Sequence, residues 1–251
     1  MSIDDACRRE RIAHSVACAV QLAEWSTRSG TFLPVGHIER YHPAIIPLGP
    51  FVRKCVFGDV RLPNARRGSL APDASRGAVA DIVVGIGVGE IDVSWLLLDQ
   101  DPRHAHALGG ANSVVGPVMH YESLLIDFGG LYSRIQVDFL TPRETRWLEV
   151  MATSAMASLE SVTQDFTISC RSEVPLRADD FPQILPVCGR QTHTEQVDVP
   201  NGERLFLEIS AFLRARKAEG RDLVADAGAT ESLSIARAVT DEIRSGVRTS
   251  R

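Results

Sequence analysis

Alternation of apolar and polar side chains is strongest from His120 to Phe139, where HYESLLIDF and LYSRIQVDF flank Gly129-Gly130. A two-residue Gly-Gly link between such runs favours a tight primed turn and an antiparallel hairpin. Pairing Phe128 with Leu131 sets the register: Ile126 opposes Ser133, Leu124 opposes Ile135, Glu122 opposes Val137 and His120 opposes Phe139. Successive side chains on a strand point to opposite faces, so all of these share one side, apolar over most of its length. The other side, with Tyr121, Ser123, Asp127, Arg134, Gln136 and Asp138, suits solvent. His120 and Glu122 therefore fall on the core side, at the end away from the turn. Buried ionisable groups are costly unless paired. A structural His–Glu hydrogen bond meets that need without any further role; a functional site is the sharper alternative.

Helical spacing marks other stretches. Residues 4–29 carry Ile12, Val16, Val20 and Ala23 on one stripe and His14, Cys18, Leu22 and Trp25 on a second, with Gly30 as the stop. Cys7 lies in the first turn, where the helix dipole lowers a thiol pKa, while Cys18 reads first as a small buried residue. Prolines from Pro34 to Pro72 predict irregular wrapping structure around one strand at 51–57, and residues 64–77 read as an exposed loop. Residues 78–99 are rich in Val and Ile. Their GxGxG spacing at Gly85, Gly87 and Gly89 reads as a turn or bulge between strands, because EIDVSWLLLD reads as a continuing strand and not as a helix opening around a phosphate. Thr141-Pro142-Arg143-Glu144 has the form of a capping box, and Leu148, Met151, Ala155, Leu159 and Val162 follow at helical spacing. A strand at 166–170, a helix at 201–219 with Leu205, Ile209, Phe212 and Leu213 inward, and a charged helix at 231–245 complete the pattern.

Together these elements predict an α+β fold: a central, mostly antiparallel sheet (51–57, 79–99, 119–139) with an N-terminal helix and C-terminal helices packed on it. The expected organisation is an α+β core domain at 1–140 and a mainly helical portion at 141–251 on the same core.

Composition narrows the function classes. The chain has 251 residues, 44% hydrophobic and 24% charged, with a formal charge of -5, which argues against nucleic acid as the main partner. Its apolar runs are too short to span a membrane, and the charged start MSIDDACRRER does not resemble a secretory leader. Five dispersed cysteines with no CxxC spacing argue against a disulfide framework or a structural zinc site and fit a reducing, cytoplasmic setting.

Three arrangements offer chemistry. In outline, the order of an early helix with Cys7 or Cys18, then His120, then Gln136 or Asp138 across the hairpin resembles the papain-like and transglutaminase-like thiol enzymes, over about residues 5–140. That resemblance implies a thiol hydrolase or acyltransferase acting on an amide or thioester of a small molecule or peptide. A cysteine would be the nucleophile and His120 the base, with Glu122 and Asp138 as neighbouring carboxylates. The idealised pairing puts Asp138 on the face opposite His120, so its engagement calls for a bulge. A second arrangement is metal-like: Asp99, Asp101, His104 and His106 follow an apolar run and would serve a metal-dependent hydrolase. The third is a non-catalytic binding or regulatory protein whose hairpin and C-terminal helices form a surface for a protein partner. The cofactor is left unknown by all three.

Overall fold

The computed structural model describes residues 16–30, 35–53, 58–70, 82–111, 119–171, 192–199, 202–217, 234–238 and 241. Its helices are α1 (Val16–Ser29), α2 (Ile45–Arg53), α3 (Val88–Leu98) and α4 (Arg204–Lys217), with a 3₁₀ turn at Ile38–Tyr41 and a π turn at Val83–Gly87 that runs into α3. The strands are β1 (Val60–Leu70), β2 (His104–Ala111), β3 (Met119–Asp127), β4 (Tyr132–Asp138), β5 (Leu140–Ala152), β6 (Ala155–Glu160), β7 (Asp165–Arg171) and β8 (Thr192–Gln196). Among the described residues these eight strands form one sheet in the order β2-β3-β4-β1-β5-β6-β7-β8. β1 runs parallel to β4, and the other neighbours are antiparallel. The fold is α+β, as the pattern predicts.

The hairpin forms in the expected register. Glu122 pairs with Val137, Leu124 with Ile135 and Ile126 with Ser133, and the Phe128 N–H donates to the Leu131 carbonyl at 2.8 Å. Gly129 and Gly130 have φ of 82° and 100°, the left-handed region that this turn demands and glycine alone enters freely. Asp127 Oδ1 accepts from both glycine N–H groups, and the Gly130 bond most strongly holds its carboxyl below the usual range. The inner side is buried from His120 through Phe128 and from Ser133 through Phe139, and joins one core with residues of α3, β5, β6 and β7.

Several expectations fail, each for a physical reason. Of the strand expected at 51–57, residues 51–53 instead close α2, and 54–57 lie outside the described residues. Residues 64–70 are not a loop; they belong to β1, the strand at the centre of the sheet. Residues 82–98 are helical, not two strands. β-branched residues disfavour helix only weakly, and a helix buried on nearly all sides needs an apolar sequence all round, so tertiary packing overrides propensity. α3 ends where Asp99 takes φ 51° and its N–H returns to the Trp95 carbonyl.

The capping-box stretch is not a helix either, but the start of β5. Leu148 and Val150 point inward at strand spacing, as do Ala157 and Leu159 after the Thr153-Ser154 turn. Pro142 is tolerated because β5 pairs with β1 at Leu140 and again at Thr145, leaving a bulge between. In α1, Val20 and Cys18 are exposed, while Ala19 is fully buried. In α4, Ile209 and Leu213 are exposed instead of inward. The charged segment near the end contributes buried Ile235 and Ala236 to the core.

The two faces of the hairpin give a direct test. Ile126→Ala should cost about 2–5 kcal/mol in urea unfolding, whereas Leu125→Ala, at a residue 46% exposed, should stay within about 0.5 kcal/mol. Similar losses at both positions would contradict the facing.

Candidate functional site

Residues 37–43, HIERYHP, bring His37, Glu39, Arg40 and His42 into the 3₁₀ turn and its flanks. Three residues per turn make positions i and i+3 share a side. His37 and Arg40 accordingly reach the same carboxylate, Asp92 of α3. The His37 Nδ1 lies 3.0 Å from Asp92 Oδ1, and Arg40 Nε donates to Oδ2 at 2.7 Å. Burial alone would raise the Asp92 carboxyl, but the His37 and Arg40 hydrogen bonds outweigh it and hold the group ionised, below its ordinary value.

Glu39 and His42 occupy the other side. Glu39 is 5% exposed and accepts from three guanidinium groups: Arg67 of β1 at 3.2 Å, Arg146 of β5 at 3.1 Å and Arg204 of α4 at 2.6 Å. Arg67 also reaches Glu90 of α3 at 3.4 Å, and Arg146 reaches Glu144 at 2.6 Å. His42 is fully buried and its Nδ1 accepts from the Ala44 N–H at 3.1 Å, which leaves the proton of the neutral ring on Nε2. Desolvation, with the nearby Arg204 charge, lowers its pKa from 6.5 to about 4.

A small cleft opens between this turn and the head of α3, lined by Gly36, His37, Ile38, Glu39, Val88, Gly89 and Asp92. Its lining holds two carboxylates and an imidazole, and no lysine or arginine. Of the glycines behind it, Gly87 is the closely packed one. A Cβ on Gly87 would come within 3.1 Å of Val83 Cγ1 and 3.5 Å of Val137 Cγ1, and one on Gly85 within 3.9 Å of Phe139 Cζ. Gly87 has φ −84° and ψ −20°, ordinary helical backbone.

The residues singled out from sequence are dispersed. His120 and Glu122 are buried on the inner face at 3% and 1% exposure, as their alternation requires. Asp138 projects from the opposite face and accepts from the Leu140 and Thr141 N–H groups, with no bulge turning it toward His120. Cys18 faces solvent on α1, and Cys7 lies outside the described residues. Asp99 caps α3, Asp101 is exposed, and His104 and His106 are exposed on β2 at one end of the sheet. Among the described residues no group of three or more His, Cys, Asp or Glu is placed to hold a metal ion. No helix of the described residues is long and apolar enough to cross a membrane.

Sequence reasoning missed Glu39, Arg67, Asp92, Arg146 and Arg204. Two signals were present: HIERYHP is unusually dense in ionisable groups, and Glu90 and Asp92 interrupt an apolar run, where charges need partners.

No protein-family model matches the chain. It is 34% identical, over 183 residues, to a UDP-N-acetylglucosamine 3-dehydrogenase of Acidithiobacillus ferrooxidans, a match covering 73% of this chain and 53% of that protein. The chain thus spans about half the length of the curated relative it matches. A crystal structure of the dehydrogenase aligns with 92% of this chain and 68% of its own, at TM-score 0.75 and 20% identity. A putative NADPH-dependent oxidoreductase from Desulfitobacterium hafniense aligns at TM-score 0.78 and 14% identity, over 94% of this chain and 69% of its own. A 3-ketoreductase from Actinomadura kijaniata aligns at TM-score 0.70 and 16% identity, over 91% and 67%.

The fold is therefore one found in oxidoreductases. The resemblance to papain-like and transglutaminase-like enzymes is overturned, and with it the thiol hydrolase and acyltransferase readings. The metal-dependent hydrolase and the non-catalytic binding protein are set aside by the same relatives.

Two tests bear on the cluster. Glu39→Gln leaves three guanidinium groups without their shared anion and should destabilise the fold by about 3–5 kcal/mol in urea unfolding; a loss below about 1 kcal/mol would show the arginines to be solvated instead. His42 couples stability to pH. The unfolded ring titrates near 6.5 and the folded one at about 4, so between these values the unfolded chain binds the extra proton. The stability due to the neutral ring is complete above pH 6.5 and is lost as pH falls toward about 4. His42→Asn keeps an acceptor for Ala44 and removes that titration. Between about pH 7.5 and 4.5 the native chain should lose roughly 2 kcal/mol more than the variant; parallel losses would contradict a neutral His42.

Proposed function

We propose that this chain forms the sugar-nucleotide side of an NAD(P)-dependent oxidoreductase of the Gfo/Idh/MocA type, interconverting a sugar hydroxyl and a ketone. The observation that carries this reading is the 34% identity over 183 residues to a UDP-N-acetylglucosamine 3-dehydrogenase. The shared fold supports it, as does a 3-ketoreductase of the same fold described in complex with TDP-benzene and NADP. The substrate class is then a nucleoside-diphosphate sugar.

The cleft with room for such a substrate lies on the face of the sheet opposite the core, about 510 Å³ in volume, where Arg66, Arg134 and Arg143 stand beside Asn64, Gln136 and Trp147. The cleft beside α3, about 10 Å³, holds no more than a water molecule. Asp92 is held ionised and orients the His37 imidazole through Nδ1. The His37 imidazole is itself buried, so this pair seats the 3₁₀ turn against α3. Arg40, on the same carboxylate, fixes Asp92 so that His37 keeps one orientation. Behind these groups the Glu39 cluster holds the 3₁₀ turn against the sheet.

The dinucleotide itself is a different matter. A diphosphate cradle needs free N–H groups where a glycine-rich turn opens a helix. Gly85 and Gly87 instead lie within the continuous helical stretch 82–98, and the lining of the cleft beside α3 carries two carboxylates without a lysine or arginine. This cleft and this glycine run do not fit that group, and no step is assigned to it.

Calorimetric titration of the full chain with UDP-N-acetylglucosamine tests the substrate class. Saturable binding at about 1 mM or tighter is expected, weakened about tenfold by Arg66→Gln through loss of one charge-assisted hydrogen bond. No binding of any nucleoside-diphosphate sugar would end this reading.

A further inference from the structure

We infer that the cleft on the open face of the sheet is divided: Arg66, Arg134 and Arg143 take the diphosphate of the ligand, and Trp147 with Glu160 takes a ring carrying neighbouring hydroxyls beside it. The division rests on the sugar-nucleotide reading above and assigns the parts of that ligand to side chains.

Register lays the cleft out. Gln136, Arg66, Trp147 and Glu160 oppose one another in turn on β4, β1, β5 and β6, so they form one row across four adjacent strands. At about 4.8 Å per strand the row is about 14 Å long. Arg134 opposes Asn64 in the next row of the same face. On the other side of the row, β5 leaves its pairing with β1 between Leu140 and Thr145, and this bulge supplies Thr141 and Arg143 to the lining. Gly68 of β1 permits that approach: a Cβ there would lie 2.6 Å from Thr141 Oγ1 and 2.8 Å from Thr145 Oγ1.

Charge separates the two ends. On the core side Arg67, Arg146 and Arg204 each hold Glu39 at 3.2 Å or less. The arginines of the cleft are not spent in this way. Arg66 comes only to 3.9 Å from Asp138, and its side chain is 53% exposed. Arg134 donates from Nε to Asn64 Oδ1 at 3.0 Å, while Asn64 Nδ2 donates to the buried Glu149 at 3.1 Å. This relay fixes the arginine through Nε alone. Arg143 is exposed on the bulge. Guanidinium groups bind phosphate oxygens in pairs, and three of them suit a diphosphate.

Glu160 repels a phosphate from the β6 end. Its Oε1 accepts from the Val162 N–H at 3.1 Å and the Arg146 N–H at 3.4 Å, which fixes the carboxylate, and among the described residues Oε2 accepts from none. A carboxylate only accepts, so an uncharged ligand group there must donate. Trp147, directly opposite on β5, adds an apolar ring. A sugar ring has C–H groups on its faces and hydroxyls around its edge, so one such ring meets the indole and the carboxylate together. The ribose and the hexose of a sugar nucleotide share that chemistry.

Calorimetric titration of the full chain with inorganic pyrophosphate, UDP and UDP-N-acetylglucosamine tests the division. All three should bind saturably, and Arg143→Gln should weaken each about tenfold. Glu160→Gln should leave pyrophosphate no weaker and cost the ring-bearing ligands about fivefold. A loss shared by UDP and the sugar nucleotide places the ribose at Trp147 and Glu160; a loss confined to the sugar nucleotide places the hexose there. Pyrophosphate that does not bind, pyrophosphate weakened by Glu160→Gln, or sugar-nucleotide binding that neither variant weakens would overturn the division and leave the sugar-nucleotide reading intact. No binding of any nucleoside-diphosphate sugar ends that reading and the division with it. Sedimentation velocity addresses a second copy of this chain as the occupant. A change of oligomeric state in Arg143→Gln with all three affinities unaltered would also overturn the division.

Discussion

The Glu39 carboxylate is the point on which this structure turns. It sits in a four-residue 3₁₀ turn, too short to hold its own geometry, and is fixed by guanidinium groups from β1, β5 and α4. With Glu90 on Arg67 and Glu144 on Arg146, three arginines meet three glutamates, so the network is electrically balanced while drawing on residues from 39 to 204. A buried balanced network of this kind adds little net stability over an apolar one, since desolvation offsets much of the attraction. Its effect is on geometry. Removing one member leaves an uncompensated charge, and any arrangement that separates the turn from the sheet must do the same.

That constraint reaches the cleft through α3. Glu90 and Asp92 are two residues apart, and at 100° per residue their side chains leave the helix about 200° apart. Glu90 engages Arg67 on the sheet, while Asp92 engages His37 and Arg40 on the turn. The helix is thus pinned from two sides, and the 3₁₀ turn, with its three-residue period, presents one pair to α3 and the other to the sheet. Ser94 adds a further tie, its hydroxyl 2.7 Å from that of Ser133 on β4. The orientation of His37 is therefore set by the same contacts that seat the helix.

The parts of this fold legible in the sequence are those determined locally. The hairpin register follows from Gly129-Gly130 and simple alternation, which is enough to assign His120, Glu122 and Asp138 to their faces. The stretch 82–98 could not be read the same way, because Val and Ile favour strands by propensity and only the surrounding core decides for helix. At 141–162, Leu148, Met151, Ala155 and Leu159 satisfy a helical period by coincidence, and the bulge that accommodates Pro142 depends on the partner strand. The cluster was the least legible. Its members come from separate elements, and the order of Cys7, Cys18, His120 and Asp138 along the chain carried no information about which side chains meet.

The glycines illustrate why spacing alone misleads. Glycine in a helix interior costs about 1 kcal/mol relative to alanine, so three within five residues need a reason. A phosphate site is one; close approach of a helix to a sheet is another, and the 3.5 Å from a Cβ on Gly87 to Val137 of β4 fits the second. The π turn at Val83–Gly87 belongs to the same solution. A π turn takes in one residue more than an α-helical turn, so it changes the side on which everything after it emerges. Here the first polar residues after it are Glu90 and Asp92, and each emerges opposite its arginine or histidine partner. A glycine-rich, locally widened helix start is then what lets one buried helix fit against β4 and still aim two carboxylates in different directions.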